Sequence, residues 1–186
     1  MMRPDKSAFS ITFRRIGKGV PLLGLLFLLG PLSKTSLASD DPPRELVENL
    51  IRDQLKSWET EDEALFLSTV HPDLIFAYPG KRMGIEGALE VFTFWKENFR
   101  KTRIHIHAII IEGDRFSVEY QYATTKDETG QRTASGTVST GYVREGKLRV
   151  WKEYLDGRVS RMQAAGKLPV DEFAEPYPWP EIRKEE

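Results

Sequence analysis

The chain has 186 residues, 27 Lys and Arg against 28 Asp and Glu, and no cysteine. The excess of basic over acidic residues is concentrated at the N-terminus, and the acidic balance of the rest argues against nucleic acid or an anionic membrane surface as a partner. The lack of cysteine excludes disulfides and any zinc or thiol chemistry built on them.

The first segment does not read as part of a fold. Arg3, Lys6, Arg14, Arg15 and Lys18 stand against Asp5, and an apolar run from Val20 to Leu32 follows. Thirteen residues broken by Pro21, Gly24, Gly30 and Pro31 are short for a membrane span but suit the core of a secretory signal. Ser36 and Ala38 supply small residues before Ser39, so cleavage is expected near Ala38. Residues 1–38 are therefore read as a signal peptide, with an uncleaved anchor as the alternative. This makes the protein secreted or periplasmic, with membrane contact only during export. The Arg14-Arg15 pair fits a twin-arginine signal only loosely. What remains is 148 residues with 21 basic and 27 acidic side chains, a net charge of −6. That length suits one domain, and without disulfides it must stand on its hydrophobic core.

Asp40-Asp41-Pro42-Pro43 predicts a helix start with an acidic cap and proline in the first turn. Val47, Leu50, Ile51, Gln54 and Trp58 continue it at helical spacing. A second short helix is predicted over residues 62–70 and ends at His71-Pro72-Asp73. Leu74 to Tyr78 reads as a short strand closed by Pro79-Gly80. Ile85, Leu89, Phe92, Lys96 and Phe99 mark a third, amphipathic helix.

Four strands are then predicted in a row, at about 103–111, 115–125, 132–143 and 147–156. Their connections, around Gly113, Gly130 and Gly146, are short, so the strands should be antiparallel neighbours. A short helix follows near 158–165. Beyond Gly166 the proline-rich, charged tail 166–186 is expected to be extended or disordered. Helices followed by a meander give an α+β domain over 39–165, a cone in which N-terminal helices pack on a curved, mainly antiparallel sheet.

The last strand carries acids among rings. Trp151, Glu153 and Leu155 share one face, while Val150, Lys152, Tyr154 and Asp156 share the other. If Trp151 points into a core, Glu153 is carried in with it, where a carboxylate is costly unless paired or neutral.

Trp58, the turns at His71-Pro72-Asp73 and Tyr78-Pro79-Gly80, the helix from Gly84, and Gly146-Lys147-Leu148 followed by Trp151-Lys152-Glu153-Tyr154-Leu155-Asp156 together resemble the SnoaL-like branch of the nuclear transport factor two-like superfamily. That branch holds polyketide cyclases, ketosteroid isomerases and limonene epoxide hydrolase-like enzymes, and the resemblance runs from about Arg44 to Asp156.

The limonene epoxide hydrolase resemblance implies a water-activating acid at Glu153 and a proton donor at Tyr122. Its bridging arginine falls on Tyr120, and its water-positioning residues fall on Phe76 and Tyr78. The ketosteroid isomerase resemblance puts that family's base at Tyr78, and the cyclase resemblance puts an acid/base at Glu153 or Asp156. Glu153 and Tyr122 are the candidate catalytic residues. Trp58, Tyr78, Trp95, Tyr120 and Trp151 are the candidate ligand contacts, for a small hydrophobic molecule.

No cofactor is expected. His105 and His107 share a strand face, but two histidines fall short of a zinc site, so no metal is expected. The alternative reading is a non-catalytic module that forms a homodimer through its sheet, with Ile109 and Ile111 beside His105 and His107 as the apolar face.

Overall fold

A computed structural model describes residues 41–173. The expected signal segment and its cleavage point lie outside these residues, as does the tail beyond Phe173.

Helix α1, Arg44–Thr60, buries Val47, Leu50, Ile51, Gln54, Leu55 and Ser57 at helical spacing. Its start differs from the expected acidic cap: Pro43 occupies the cap position, and no side chain accepts a bond there. Proline's fixed φ already suits the first turn. Helix α2, Glu63–Thr69, does have an acidic cap, because Asp62 accepts from the Leu65 amide at 2.9 Å. Strand β1 runs Val70–Tyr78 and turns at Gly80 into β2, Lys81–Met83. Helix α3 is Ile85–Asn98.

The meander follows as β3 Phe99–Glu112, β4 Arg115–Lys126, β5 Arg132–Arg144 and β6 Lys147–Leu155, with α4 over Gly157–Ala164. The six strands lie in the order β2-β1-β6-β5-β4-β3. Every pairing is antiparallel except β1 with β6. The first strand thus inserts beside the last, and the helical segment between β2 and β3 carries the chain to the far edge. Helix α1 packs on β3 and α2, while α3 packs on β1, β2 and β3. The core lies between these helices and the inner sheet face. Trp151, Phe66, Phe76, Phe92, Ile51, Leu74 and Leu148 are its largest fully buried apolar side chains.

Two local devices set the registers. At the β5–β6 turn, Glu145 and Gly146 both have positive φ, 52° and 70°. That is the twist of a two-residue hairpin turn matched to right-handed strands. Gly141, opposite Trp151, has no room for a side chain: a Cβ there would lie 2.9 Å from the Phe116 ring and closer still to the Val150 carbonyl. Its bare backbone lets Phe116 and Trp151 pack with ring centroids 5.5 Å apart.

The outer sheet face differs from expectation in one respect. A bulge at His107, between the Ile106–Tyr120 and Ala108–Glu119 register pairs, shifts the alternation by one residue. Ile109 and Ile111 therefore turn inward against the core, and Ile110, 67 % exposed, faces out. The apolar pair assigned to a dimer face is part of the interior.

The described part of the tail runs through turns and bends and is docked on the domain. Leu168 is buried, the Gln121 amide bonds the Asp171 carbonyl and the Phe173 amide, and Arg132 holds Glu172 through two nitrogens.

Candidate functional site

The sheet pleat and the strand registers set one row of side chains against another. On β4, Tyr120 and Tyr122 point inward. Opposite them on β5 are Thr137 and Ser135, and Ser139 in turn lies opposite Glu153 of β6. Alternation along β6 brings Trp151, Glu153 and Leu155 to the same face. A cavity of about 280 Å³ opens over this surface. Trp58 and Leu55 of α1, Val91 and Trp95 of α3, Phe76 and Tyr78 of β1, and Thr102 and Ile104 of β3 complete its wall.

All seven side chains singled out from the sequence line this one cavity: Glu153, Tyr122, Trp58, Tyr78, Trp95, Tyr120 and Trp151. The rings brace one another. Trp58 sits 4.9 Å from Phe92 and 6.3 Å from Trp95, centroid to centroid, and Trp95 stacks on Phe99 at 4.4 Å. The edge of Trp95 meets Tyr122, and its indole nitrogen donates to the Thr102 hydroxyl at 3.2 Å.

Glu153 is the acid of the site. Its exposure is partial, and what it faces is the cavity. The Trp151 indole donates to its Oε1 at 3.1 Å, and the Tyr120 hydroxyl is also within bonding reach. Burial among rings pushes its pKa up to about 7; the two donors offset only part of that. The phenols are driven further toward neutrality. Burial and the neighbouring Glu153 raise Tyr122 to about 12 and Tyr120 well above the usual phenol value. Both hydroxyls therefore stay protonated as donors near neutral pH. Tyr120 is tied to Ser139 at 3.1 Å, and Tyr122 to the Ser135 hydroxyl.

Asp156, the other candidate acid, is outside the site. It caps α4 by accepting from the Arg158 amide at 2.9 Å, and the Arg158 guanidinium holds its carboxyl down at about 2. His105 lies on the outer face, its ring 5.3 Å from Phe173. His71 accepts from the Asp73 amide within the irregular first part of β1, where a turn was expected. Among the described residues no three His, Asp or Glu side chains converge to hold a metal ion.

Sequence reasoning missed the hydroxyl row beneath the tyrosines. Ser135, Thr137 and Ser139 recur every second residue, a visible signal that they share one strand face. Which face they share, and that it is the one carrying the tyrosines, depends on the register with β4. It also missed Leu55, Val91 and Ile104, which look like ordinary core residues.

Solved structures share this architecture at low identity. AclR of Streptomyces galilaeus, a candidate hydroxylase, is 18 % identical with a TM-score of 0.58, over 66 % of this chain and 97 % of that one. IdmH of Streptomyces antibioticus, a candidate polyketide cyclase, is 17 % identical with a TM-score of 0.59, over 64 % and 98 %. An epoxide hydrolase of M. tuberculosis, of the limonene epoxide hydrolase-like kind, is 16 % identical with a TM-score of 0.60, over 67 % and 93 %. No curated protein sequence matches the chain. The SnoaL-like domain family matches residues 51–151, more than half of the chain. This match makes the chain a member of the SnoaL-like domain family, and the helices on a six-stranded sheet agree with it.

Proposed function

We propose that the protein binds a small hydrophobic molecule in the cavity and that Glu153 serves as its acid/base. The observation that carries this reading is that, among the described residues, the wall sets a single carboxyl group among seven aromatic rings, with no basic side chain. With a pKa near 7, Glu153 can accept a proton as carboxylate and return it as acid at the same pH. Tyr122 would donate a hydrogen bond to an oxygen of the bound molecule and stabilise charge developing there. Such a site suits isomerase, cyclase or hydrolase chemistry. Epoxide opening is the least favoured, because a phenol at about 12 is a weak acid for protonating the leaving oxygen. The epoxide hydrolase and the candidate cyclase among the structural neighbours lend the reading support by analogy of fold.

A kinetic comparison of Glu153→Gln with wild type on ketone, epoxide and polyketide-like substrates tests it. The variant should lose a factor of about 10² to 10⁴ in kcat on the substrate class that turns over. If wild type exceeds the variant on none of the three, the catalytic role is lost.

Two further proposals concern the chain outside the site. Export, with cleavage near Ala38, would be read by N-terminal sequencing of the mature protein, which should begin at Ser39. Self-association through the outer sheet face draws on Ile110 and Tyr154, 67 % and 58 % exposed there. Sedimentation would reveal it as a dimer that Ile110→Lys dissociates.

A further inference from the structure

Among the described residues, the one charge the cavity wall can carry near neutral pH is that of Glu153. Among the residues lining it, those able to bear charge are Glu153 and the phenols of Tyr78, Tyr120 and Tyr122. Tyr120 and Tyr122 face Glu153 from β4, and Tyr78 comes from β1. Among the described residues no Lys, Arg or His stands on the wall. The two groups bonded to the Glu153 carboxyl, the Trp151 indole and the Tyr120 hydroxyl, act there as donors. An indole nitrogen can do nothing else, so Oε1 is held as an acceptor, as a carboxylate oxygen would be. The seven rings add π faces of negative potential. Buried carboxylates are ordinarily matched by a cation, and the wall supplies none.

We infer that the ligand of this cavity is a hydrophobic cation: a substituted ammonium with its positive centre beside the Glu153 carboxylate and against the aromatic faces, and its apolar part filling the remainder. The inference rests on the reading of the cavity as a ligand site and names the charge of what enters it. Attraction of a cation to ring faces grows when both are desolvated, the condition here. Size permits it as well. A cavity of about 150 Å³ is enough for benzene, so 280 Å³ holds a benzene ring bearing a trimethylammonium group. An anionic ligand meets repulsion from Glu153 and the ring faces, and a neutral one leaves the carboxylate without a counter-charge. A bound cation favours the carboxylate over the acid, so entry displaces the Glu153 proton when the site begins protonated.

The test compares two isosteric probes, phenyltrimethylammonium and tert-butylbenzene, by quenching of the cavity tryptophans and by calorimetry. In the wild-type protein at pH 8.5 the cation should bind at least about tenfold more tightly than the neutral probe. Its affinity should fall about tenfold or more by pH 5.5, as Glu153 takes up its proton, while that of the neutral probe should hold steady. Glu153→Gln should bring the cation down to the level of the neutral probe and leave the neutral probe unchanged, which also certifies that the variant keeps its cavity. Equal or tighter binding of tert-butylbenzene at pH 8.5 overturns the cation while leaving a ligand site intact. Cation binding indifferent to pH and to Glu153 overturns it too. Failure of both probes overturns the inference and the ligand reading together.

Discussion

Glu153 costs the fold stability at the pH where it is most useful. An unfolded chain releases this proton near 4.5, whereas the folded one keeps it until about 7. Below pH 4.5 both states are protonated and there is no penalty. Between 4.5 and 7 only the unfolded state ionises, so stability falls as pH rises through this window and levels off above it. A shift of this size corresponds to at most about 3 kcal/mol. Glu153→Gln should therefore unfold at a higher temperature than wild type at pH 8 and at the same temperature near pH 4. Scanning calorimetry across that range reads the difference, and parallel curves would show that the carboxyl is not held in a desolvated site. Asp156 has the opposite sign. Its contribution is present above 3.8, is lost as pH falls toward 2, and is weakened by its exposure to solvent.

Strand β5 outruns its neighbour. Strand β6 pairs with it only as far as Leu155 opposite Thr137, leaving the edge at Ala134 without a strand partner. Helix α4 fills the gap with one side chain. The Gln163 carbonyl accepts from the Ala134 amide at 3.0 Å, and its amide nitrogen donates to the Ala134 carbonyl at 2.8 Å and to Pro169 at 3.0 Å. The glutamine stands in for a missing strand residue and ties α4 and the start of the tail to the sheet. Buried backbone groups left without partners cost about 1–3 kcal/mol each. Gln163→Leu, similar in size but without the amide, should lower stability by about 2 kcal/mol or more in urea titration. A change within about 0.5 kcal/mol of wild type would mean that α4 swings away and water replaces the amide at no cost.

Across the whole molecule, the segment after α4 works as a strap on the outer sheet. Gln121 offers its amide to the segment's backbone much as Gln163 does to β5, and the Arg132–Glu172 pair and the His105–Phe173 contact fix it further along. The strap thus crosses three strands, β3, β4 and β5, on the face opposite the cavity. Ending the chain at Gly166 should lower the melting temperature on the order of 5 °C, which corresponds to about 2 kcal/mol for a domain of this length. Probe binding in the cavity should be unchanged. An unaltered melting temperature would make the strap incidental to stability, and loss of probe binding would mean that it reaches the inner face.

Much of this was legible in the sequence, for physical reasons. Helical periodicity reports burial along one stripe, which is why α1 with its buried face and the presence of α3 could be read directly, although on α3 Lys96 is exposed and Phe99 already opens β3. Short glycine-bearing turns force antiparallel neighbours, so the meander from β3 to β6 followed as well. Strand alternation put Glu153 on the face of Trp151 and away from Asp156. Three things needed the tertiary structure. The parallel pairing of β1 with β6 joins residues 75 to 78 positions apart and leaves no local trace. The bulge at His107 reversed the facing of Ile109 and Ile111, because a one-residue slip flips every side chain after it. The register across β4, β5 and β6 brought two phenols, a row of hydroxyls and one carboxyl into a single aromatic cavity. Sequence by itself determined that an acid would be carried inward. Only the packing of strands from four parts of the chain decided that it would have indole and phenol donors and no cation beside it.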